Sequence, residues 1–385
     1  MSSAGPCFAE RELSALGADR ARRFTPAPVA PGGPSVLDLA ERALEEPVAL
    51  EPIDVLARGA ARVAVVVSDA SRDEPREELL RALLPRLPAA RTTLVVAAGT
   101  HTADDSVIPG FARAWPIVVH DARDERRMVD LGRTSAGTRV RVLREVASAD
   151  LVVITGRLRP HYFAGWSGGI KGVFPGCALA EDALTNHLLK ADPTARLGRA
   201  DGNRCRRDME EAAARVPGTL AILNVLCDVD GTPVRAASGH PVQAHRALAA
   251  DAAGLFTVRA PRASVVIVAD RPPVSSSLYQ ASKCLPPAGA LLEEGGTVIV
   301  VAECEQGLGP TERVNEGIYR LGMVPQLPAE HRVVLVSQQP PDRVATTYAE
   351  HAPELRGAVD AALARHGAER AVALWRAGEC IAIAE

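Results

Sequence analysis

The chain has 385 residues, of which 47% are hydrophobic, and its 44 basic and 47 acidic residues give a formal net charge of −3. This length suggests two or three domains with a sizeable core, and the composition excludes a disordered tail. The near-neutral balance gives no electrostatic footprint for nucleic acid, and no apolar stretch approaches the roughly 20 residues that span a bilayer. We therefore expect neither a nucleic-acid partner nor a membrane segment.

The cysteines and the start of the chain bear on the compartment. The seven cysteines are an odd number and are scattered without a CxxC pair, which is typical of a reducing environment. The first twenty residues lack a basic region followed by an apolar run, so we expect no secretory signal. The sequence predicts a cytoplasmic protein.

A first series of strand-like segments begins at Arg62. Residues 26–34 form a Pro/Gly-rich connector, and residues 37–44 fit a short helix. Runs with few or no charges are typical of strands buried on both faces of a parallel sheet. These runs are RVAVVV (62–67), TLVVAA (93–98), PIVVH (116–120), DLVVIT (150–155) and LAILNV (220–225). The leucines at 79–87 form a helical stripe between the first two runs, so we expect an α/β fold with crossover helices.

A second series of the same kind occupies the C-terminal third. It contains SVVIVAD (264–270), a helix from about Leu278, GTVIVVAE (296–303), a helix near 312–320 and RVVLVS (332–337). The sequence therefore predicts two α/β domains with mainly parallel sheets and an interdomain cleft. We place the domains at residues 1–258 and 259–385, and the closing segments VALW and CIAIAE fit either one.

Two turns that follow predicted strands carry polar side chains. Asp69 and Arg72 follow the first strand. There the carboxylate can accept hydrogen bonds, and the guanidinium beside it can bind an anion through two N–H groups. The alternative is a helix N-cap with a surface arginine. His101 follows the second strand and is a candidate proton carrier, although a lone histidine is also compatible with an exposed or structural role.

The densest segment is PHYFAGWSGGIKGVFPG (160–176), after the fourth strand. Its glycines, Gly168 and Gly169 among them, allow close backbone approach and expose amide donors. Lys171 within such a loop suits a phosphate or an activated acyl group. The spacing of a P-loop and the GxGxxG fingerprint are both absent. A purely structural glycine-rich turn would leave the accompanying His161 and Lys171 unexplained.

Three further features complete the candidates. Asn186-His187 follows, and without an HxxxH or HExxH pattern His187 can supply only a single metal ligand or lie on a helix face. In the second series, Gln280 and Lys283 are three residues apart and therefore share a helical face that can bind a carboxylate or stay exposed. Cys304 lies in a strand-end loop of unclear role, where a buried thiol is usually inert.

Taken together, the series SDASR, GTH, PHYFAGWSGGIKGVFPG, NH and YQASK resembles the nickel-pincer-nucleotide lactate racemase family. The resemblance covers residues 45–310. The central motif is specific because ten residues separate His161 from Lys171 and sixteen separate Lys171 from His187, as in that family.

The resemblance implies a role for each matching residue. Lys171 is implied to hold the cofactor, a pyridinium-3-thioamide-5-thiocarboxylic acid mononucleotide, through a thioamide, and His187 to complete a square-planar Ni(II) site. His101 and His161 are implied to be paired acid/base catalysts. The remaining implied contacts are Asp69, Arg72, Gly168, Gly169, Tyr279 and Lys283 to the cofactor, and Arg72, Gln280 and Lys283 to the substrate.

The implied function is an isomerase, a racemase or epimerase of a 2-hydroxy acid, that depends on cofactor-synthesis enzymes. Two departures from the family pattern stand out: Ser71 replaces a threonine, and Thr102 replaces a basic residue, which affects substrate scope more than mechanism. A non-catalytic nickel-nucleotide carrier and a nicotinamide-type 2-hydroxy acid oxidoreductase remain alternatives. The sequence leaves open which 2-hydroxy acid is used and what the oligomeric state is.

Overall fold

A computed structural model of the chain describes residues 5–385. The strands are β1 Ala21–Phe24, β2 Val63–Ser68, β3 Thr92–Ala97, β4 Ile117–Val119, β5 Met128–Arg133, β6 Arg139–Leu143, β7 Leu151–Leu158, β8 Pro160–His161, β9 Gly165–Trp166, β10 Thr219–Cys227, β11 Pro233–Gly239, β12 Thr257–Ala260, β13 Ala263–Ala269, β14 Leu292–Val301, β15 Arg332–Val336, β16 Glu350–Ala352, β17 Ala371–Trp375 and β18 Ile381–Ala384.

The α-helices are α1 Phe8–Ala15, α2 Val36–Glu45, α3 Ile53–Gly59, α4 Arg76–Leu83, α5 Arg144–Ala147, α6 Ala180–Leu188, α7 Arg204–Ala213, α8 Gln243–Phe256, α9 Leu278–Ala281, α10 Leu285–Leu291, α11 Pro341–Val344 and α12 Leu355–His366. Short 3₁₀ turns include Gly169–Gly172, Leu189–Ala191 and Ser282–Cys284, and Arg313–Met323 is a π-helix. No helix of the described residues is long and apolar enough to cross a membrane.

The chain divides into two compact units. The central unit is Pro28–Gly254, and the terminal unit combines residues 5–27 with Leu255–Glu385. This division differs from the boundary expected at residue 259 in two ways. It falls inside α8, and it assigns the N-terminal segment to the terminal unit because β1 pairs in parallel with β17. The closing strands β17 and β18 lie in the terminal unit as well.

The central unit is built on a six-stranded sheet in the order β11-β10-β7-β2-β3-β4. All neighbours are parallel except β10 and β11. Because side chains alternate along a strand, Val65 and Val67 of β2 pack under α2, α3 and α4. Val66 points to the opposite face, where the glycine-rich segment lies against it. The predicted strands thus form the sheet that supports the candidate site.

The terminal unit contains an all-parallel sheet in the order β1-β17-β13-β14-β15-β16. Helices α1 and α12 cover one face, with Phe8, Leu355 and Val359 packed against Val265 and Ile267. The helix expected from Leu278 is short and is followed by a 3₁₀ turn and by α10, and the helix expected near 312–320 is the π-helix. The predicted mixed α/β fold with mainly parallel sheets is confirmed.

Candidate functional site

In the central unit, the turn after β2 brings two predicted site residues into contact. His101 Nδ1 lies 3.2 Å from Asp69 Oδ2 and 3.3 Å from Ser71 Oγ. The Ser71 backbone N–H and hydroxyl both donate to Asp69 Oδ1, at 3.0 and 2.5 Å. Asp69 therefore forms an Asx turn, and Pro75, not Asp69, stands at the N-cap of α4. Arg72 lies exposed on the same turn.

The contact with Asp69 defines which nitrogen of His101 can act as a base. A carboxylate only accepts, so a neutral His101 carries its proton on Nδ1 and presents the Nε2 lone pair. Burial raises the pKa of Asp69, but hydrogen bonds from His101 and Ser71 and the charge of Arg72 outweigh burial, so the net shift is downward. Asp69 thus stays ionised and orients a ring whose side chain is 40% exposed.

A buried ion pair fixes the backbone of this turn. The Glu74 side chain is fully buried and accepts hydrogen bonds from the Ser68 backbone N–H at 3.1 Å and from the Thr155 hydroxyl at 2.5 Å. Arg76 Nε lies 3.7 Å from Glu74 and donates to the Ser68 carbonyl at 2.9 Å, while its Nη2 donates to the carbonyls of Arg72 and of Asp69. The two side chains clamp both ends of the segment that carries Asp69 and Arg72.

The aromatic ring of Phe163 touches three of the predicted functional side chains. His161 lies on β8, and its ring is 4.6 Å from that of Phe163 at 86°. The His187 ring is 5.1 Å away at 76°, and Lys171 Nζ lies 5.3 Å from the ring centroid. The Ala164 N–H donates to His161 Nδ1 at 3.3 Å, so a neutral His161 carries its proton on Nε2. The structure thus brings His161, Lys171 and His187 around one buried ring.

The glycines before Lys171 let the loop approach side chains of its own unit. Gly169 has a φ of +61°, and a Cβ there would lie 2.8 Å from the His245 ring and 2.9 Å from an Arg206 nitrogen. A Cβ on Gly168 would lie 2.7 Å from Asn224 Oδ1, which accepts the Gly169 N–H at 2.6 Å. The Gly169 amide is therefore already bonded within the protein. Contact of Gly168 and Gly169 with a cofactor stays a prediction.

A buried polar network fixes the residue beside His187. Asn186 is fully buried on α6, and its Nδ2 donates to Asp208 Oδ2 at 2.8 Å. The same Asp208 oxygen accepts from the Thr138 hydroxyl at 2.8 Å, and the other accepts from Thr134. Helix α6 is thereby held against α7 with His187 in the half-buried position next to Phe163.

In the terminal unit, the predicted site residues Tyr279, Gln280 and Lys283 lie close together. The Ser277 hydroxyl caps α9 by accepting the Gln280 N–H at 3.3 Å. Lys283 Nζ donates to Gln280 Oε1 and lies 5.8 Å from the centroid of the Tyr279 ring. The shared face expected for Gln280 and Lys283 is thus confirmed. Ser282, next to Lys283, hydrogen-bonds Tyr348 at 2.8 Å.

Comparison with known proteins gives one consistent result. Residues 17–198 match the family described as the lactate racemase N-terminal domain. A lactate racemase of Thermoanaerobacterium thermosaccharolyticum is 32% identical over 296 residues, which cover 74% of this chain and 68% of that protein. A lactate racemase of Lactiplantibacillus plantarum is 29% identical over 365 residues, or 85% of this chain and 86% of that protein. The chain belongs to the lactate racemase family.

Solved structures extend the comparison to the fold. The lactate racemase apoprotein of T. thermosaccharolyticum superposes with a TM-score of 0.80 at 25% identity, over 95% of this chain and 96% of that one. A protein of Thermotoga maritima superposes with a TM-score of 0.67 at 15% identity, over 91% of this chain and 97% of that one, and shares the fold. The family resemblance and the α/β fold expected from the sequence are both confirmed.

Lys171 and His187 carry an amine and an imidazole beside the same ring, groups that could anchor an organic cofactor and bind a metal. Among residues 5–385, no group of three or more His, Cys, Asp or Glu side chains is placed to hold a metal ion. Cys304 is fully buried, which raises the pKa of its thiol to about 12, so it is a poor ligand.

Sequence reasoning missed the residues that hold the functional ones in place. Glu74, Arg76 and Asp208 belong to no motif that distinguishes them from other charged residues of the chain. Phe163 lies inside the glycine-rich segment, where its spacing does not distinguish it. Their roles depend on contacts such as Thr155 to Glu74, across 81 positions of sequence, which no local pattern reveals.

Proposed function

We propose that this chain is a racemase or epimerase of a 2-hydroxy acid that uses a nickel-pincer nucleotide, with lactate as the first substrate to test. Family membership supports an isomerase, and its named relatives are lactate racemases. The observation that carries the proposal is the placement of His161, Lys171 and His187 around Phe163. We further propose that the protein works in the cytoplasm and receives its cofactor from dedicated synthesis enzymes.

In this proposal Lys171 holds the nucleotide covalently and His187 supplies a nickel ligand. When bound, the cofactor supplies the hydride acceptor that amino-acid side chains cannot provide. The His187 imidazole would be a suitable donor to nickel(II). Asp69, Gly168, Gly169 and Tyr279 are the further residues assigned to cofactor contacts.

Proton transfer at the substrate hydroxyl is assigned to the two histidines. His101 presents an Nε2 lone pair because Asp69 binds its Nδ1, so it can take the hydroxyl proton. His161 has the opposite arrangement, since its Nδ1 accepts and its Nε2 carries the proton. Each histidine then serves as base for one enantiomer and as acid for the other. Arg72, Gln280 and Lys283 are assigned to the substrate, with the two cations binding its carboxylate.

The acid/base pair also separates this function from the alternatives. A nickel-nucleotide carrier needs Lys171 and His187 but has no use for a second histidine near the same ring. A nicotinamide-type oxidoreductase would need the GxGxxG fingerprint, which the strand-end turns lack.

The test is the interconversion of D- and L-lactate by cofactor-loaded protein. His101→Ala and His161→Ala should each abolish the reaction in both directions, because one cycle uses both groups. His240→Ala, which changes a histidine that accepts from the Val242 N–H, is the control and should keep its rate within about twofold. A wild-type rate in either of the first two variants would contradict the two-base assignment.

A further inference from the structure

Lysine is rare in this chain, and its positions are selective. Of the 44 basic residues, 41 are arginine and three are lysine. Two of the lysines, Lys171 and Lys283, are candidate site residues. Arginine can supply charge and surface ion pairs, whereas lysine offers a compact ammonium on a flexible stem. The third lysine, Lys190, is therefore an exception in a chain that has arginine at almost every basic position.

Among the residues that the structure describes, Lys190 is buried without a counter-ion. Only 9% of its surface is exposed, and within residues 5–385 its ammonium group has neither a hydrogen bond nor an ion pair. Leaving a cation unpaired in such a place destabilises the folded protein, so an anionic partner is expected to compensate. Its Nζ is not among the fully buried side-chain nitrogens without a partner in the described residues, so part of this atom stays open to solvent.

Lys190 lies beside the candidate cofactor site. It follows His187 by three residues at the end of α6, which places both on the same side of the helical turn. Helix α7 packs against both the 3₁₀ turn of Lys190 and that of Lys171. Burial raises the pKa of the Cys205 thiol on α7 to about 12, and the charges of Lys171 and Lys190 oppose that rise, so both ammonium groups lie within electrostatic reach of one sulfur.

The charges around Cys205 leave positive charge in excess. Arg206 is paired with Glu210 at 3.0 Å. The carboxylate of Asp208 is occupied by two threonine hydroxyls and Asn186. No carboxylate of the described residues within ion-pair distance is left for Lys190.

We propose that Lys190 binds an oxyanion of the ligand held next to Lys171. The shared chemistry is an ammonium–oxyanion pair, and its two sources are the phosphate of a mononucleotide and the carboxylate of a 2-hydroxy acid. This rests on the proposed function in placing the ligand at Lys171, and it adds a residue to which no ligand contact is otherwise assigned.

The test is calorimetric titration of the full chain, purified without cofactor, with inorganic phosphate, nicotinic acid mononucleotide and D-lactate. Lys190→Met should weaken the binding of the probe that carries the recognised oxyanion about tenfold or more. Lys190→Arg should restore part of the lost affinity. Arg204→Met is the matched control, because it removes one positive charge from an exposed position on the neighbouring helix. It should leave each affinity within about twofold.

The pattern of loss identifies the source. Loss confined to phosphate and the mononucleotide assigns Lys190 to the phosphate, and loss confined to lactate assigns it to the carboxylate. Equal binding by wild type and Lys190→Met, equal weakening by Arg204→Met, or no binding of any probe by wild type would overturn the proposal. Intact mass of cofactor-loaded wild type reports separately on the proposed function, since a missing adduct on Lys171 leaves the titration result standing.

Discussion

The buried charge of Lys190 should reduce the stability of the apoprotein, and Lys190→Met should remove that cost. Burial lowers the pKa of Lys190 from 10.5 to about 8. A pKa lowered from 10.5 to about 8 corresponds to ~3 kcal/mol of differential stabilisation between the charged and neutral forms. Methionine fills a similar volume without a charge, so the variant should gain up to ~3 kcal/mol of unfolding free energy at pH 7.

The gain should depend on pH in a defined direction. The folded state loses the Lys190 proton near pH 8, whereas the unfolded chain keeps it until about pH 10.5. The cost is therefore fully present below pH 8 and disappears as the pH rises to 10.5. Over that window the stability of wild type should rise relative to that of Lys190→Met, until the two differ only by packing.

Urea unfolding of the two proteins at pH 7 and at pH 10.5 measures this difference. Arg204→Met, which removes an exposed charge, should change the unfolding free energy by less than about 1 kcal/mol at either pH. A Lys190→Met variant that is less stable than wild type at pH 7, or whose gain is the same at both pH values, would refute the account of Lys190 as an unpaired buried cation.

Three further changes test the surroundings of the site. Glu74→Gln should lower the unfolding free energy by ~2 kcal/mol because it removes the buried charge partner of Arg76. Glu77→Gln, in an exposed pair on α4, should cost under about 0.5 kcal/mol, and equal costs would argue against the clamp. Gly169→Ala should lower the unfolding free energy by ~2 kcal/mol or more, because φ is positive there and the added Cβ would be crowded. The control Gly59→Ala, where the added Cβ would meet open space, should not lower the melting temperature. His187→Ala should lower the nickel content of cofactor-loaded protein by elemental analysis, and full retention would exclude it as a ligand.

The strands were predictable because buried parallel strands need uninterrupted apolar runs. Segments such as 62–67 and 264–270 fall within one residue of β2 and β13. The pairing of β1 with β17 joins segments 350 residues apart, Ala21 with Ala371, and no local pattern encodes it. The π-helix could not be distinguished from an α-helix in the sequence, because the two have similar apolar spacing.

The candidate site was predictable to the extent that its chemistry is contained in contiguous motifs. His161 and Lys171 belong to one contiguous segment, so the local fold of this loop around Phe163 is enough to bring them close together. The contact between Asp69 and His101 was accessible in part, since both follow adjacent parallel strands whose ends meet at one sheet edge. The residues that support this site act through long-range hydrogen bonds, which depend on the completed fold.

The most direct test of the central claim is intact mass combined with nickel analysis on protein co-expressed with the cofactor-synthesis enzymes. The account predicts that wild type carries a covalent adduct and bound nickel, and that Lys171→Ala carries no adduct. A wild-type chain of unmodified mass under those conditions, or an adduct that survives in Lys171→Ala, would contradict it.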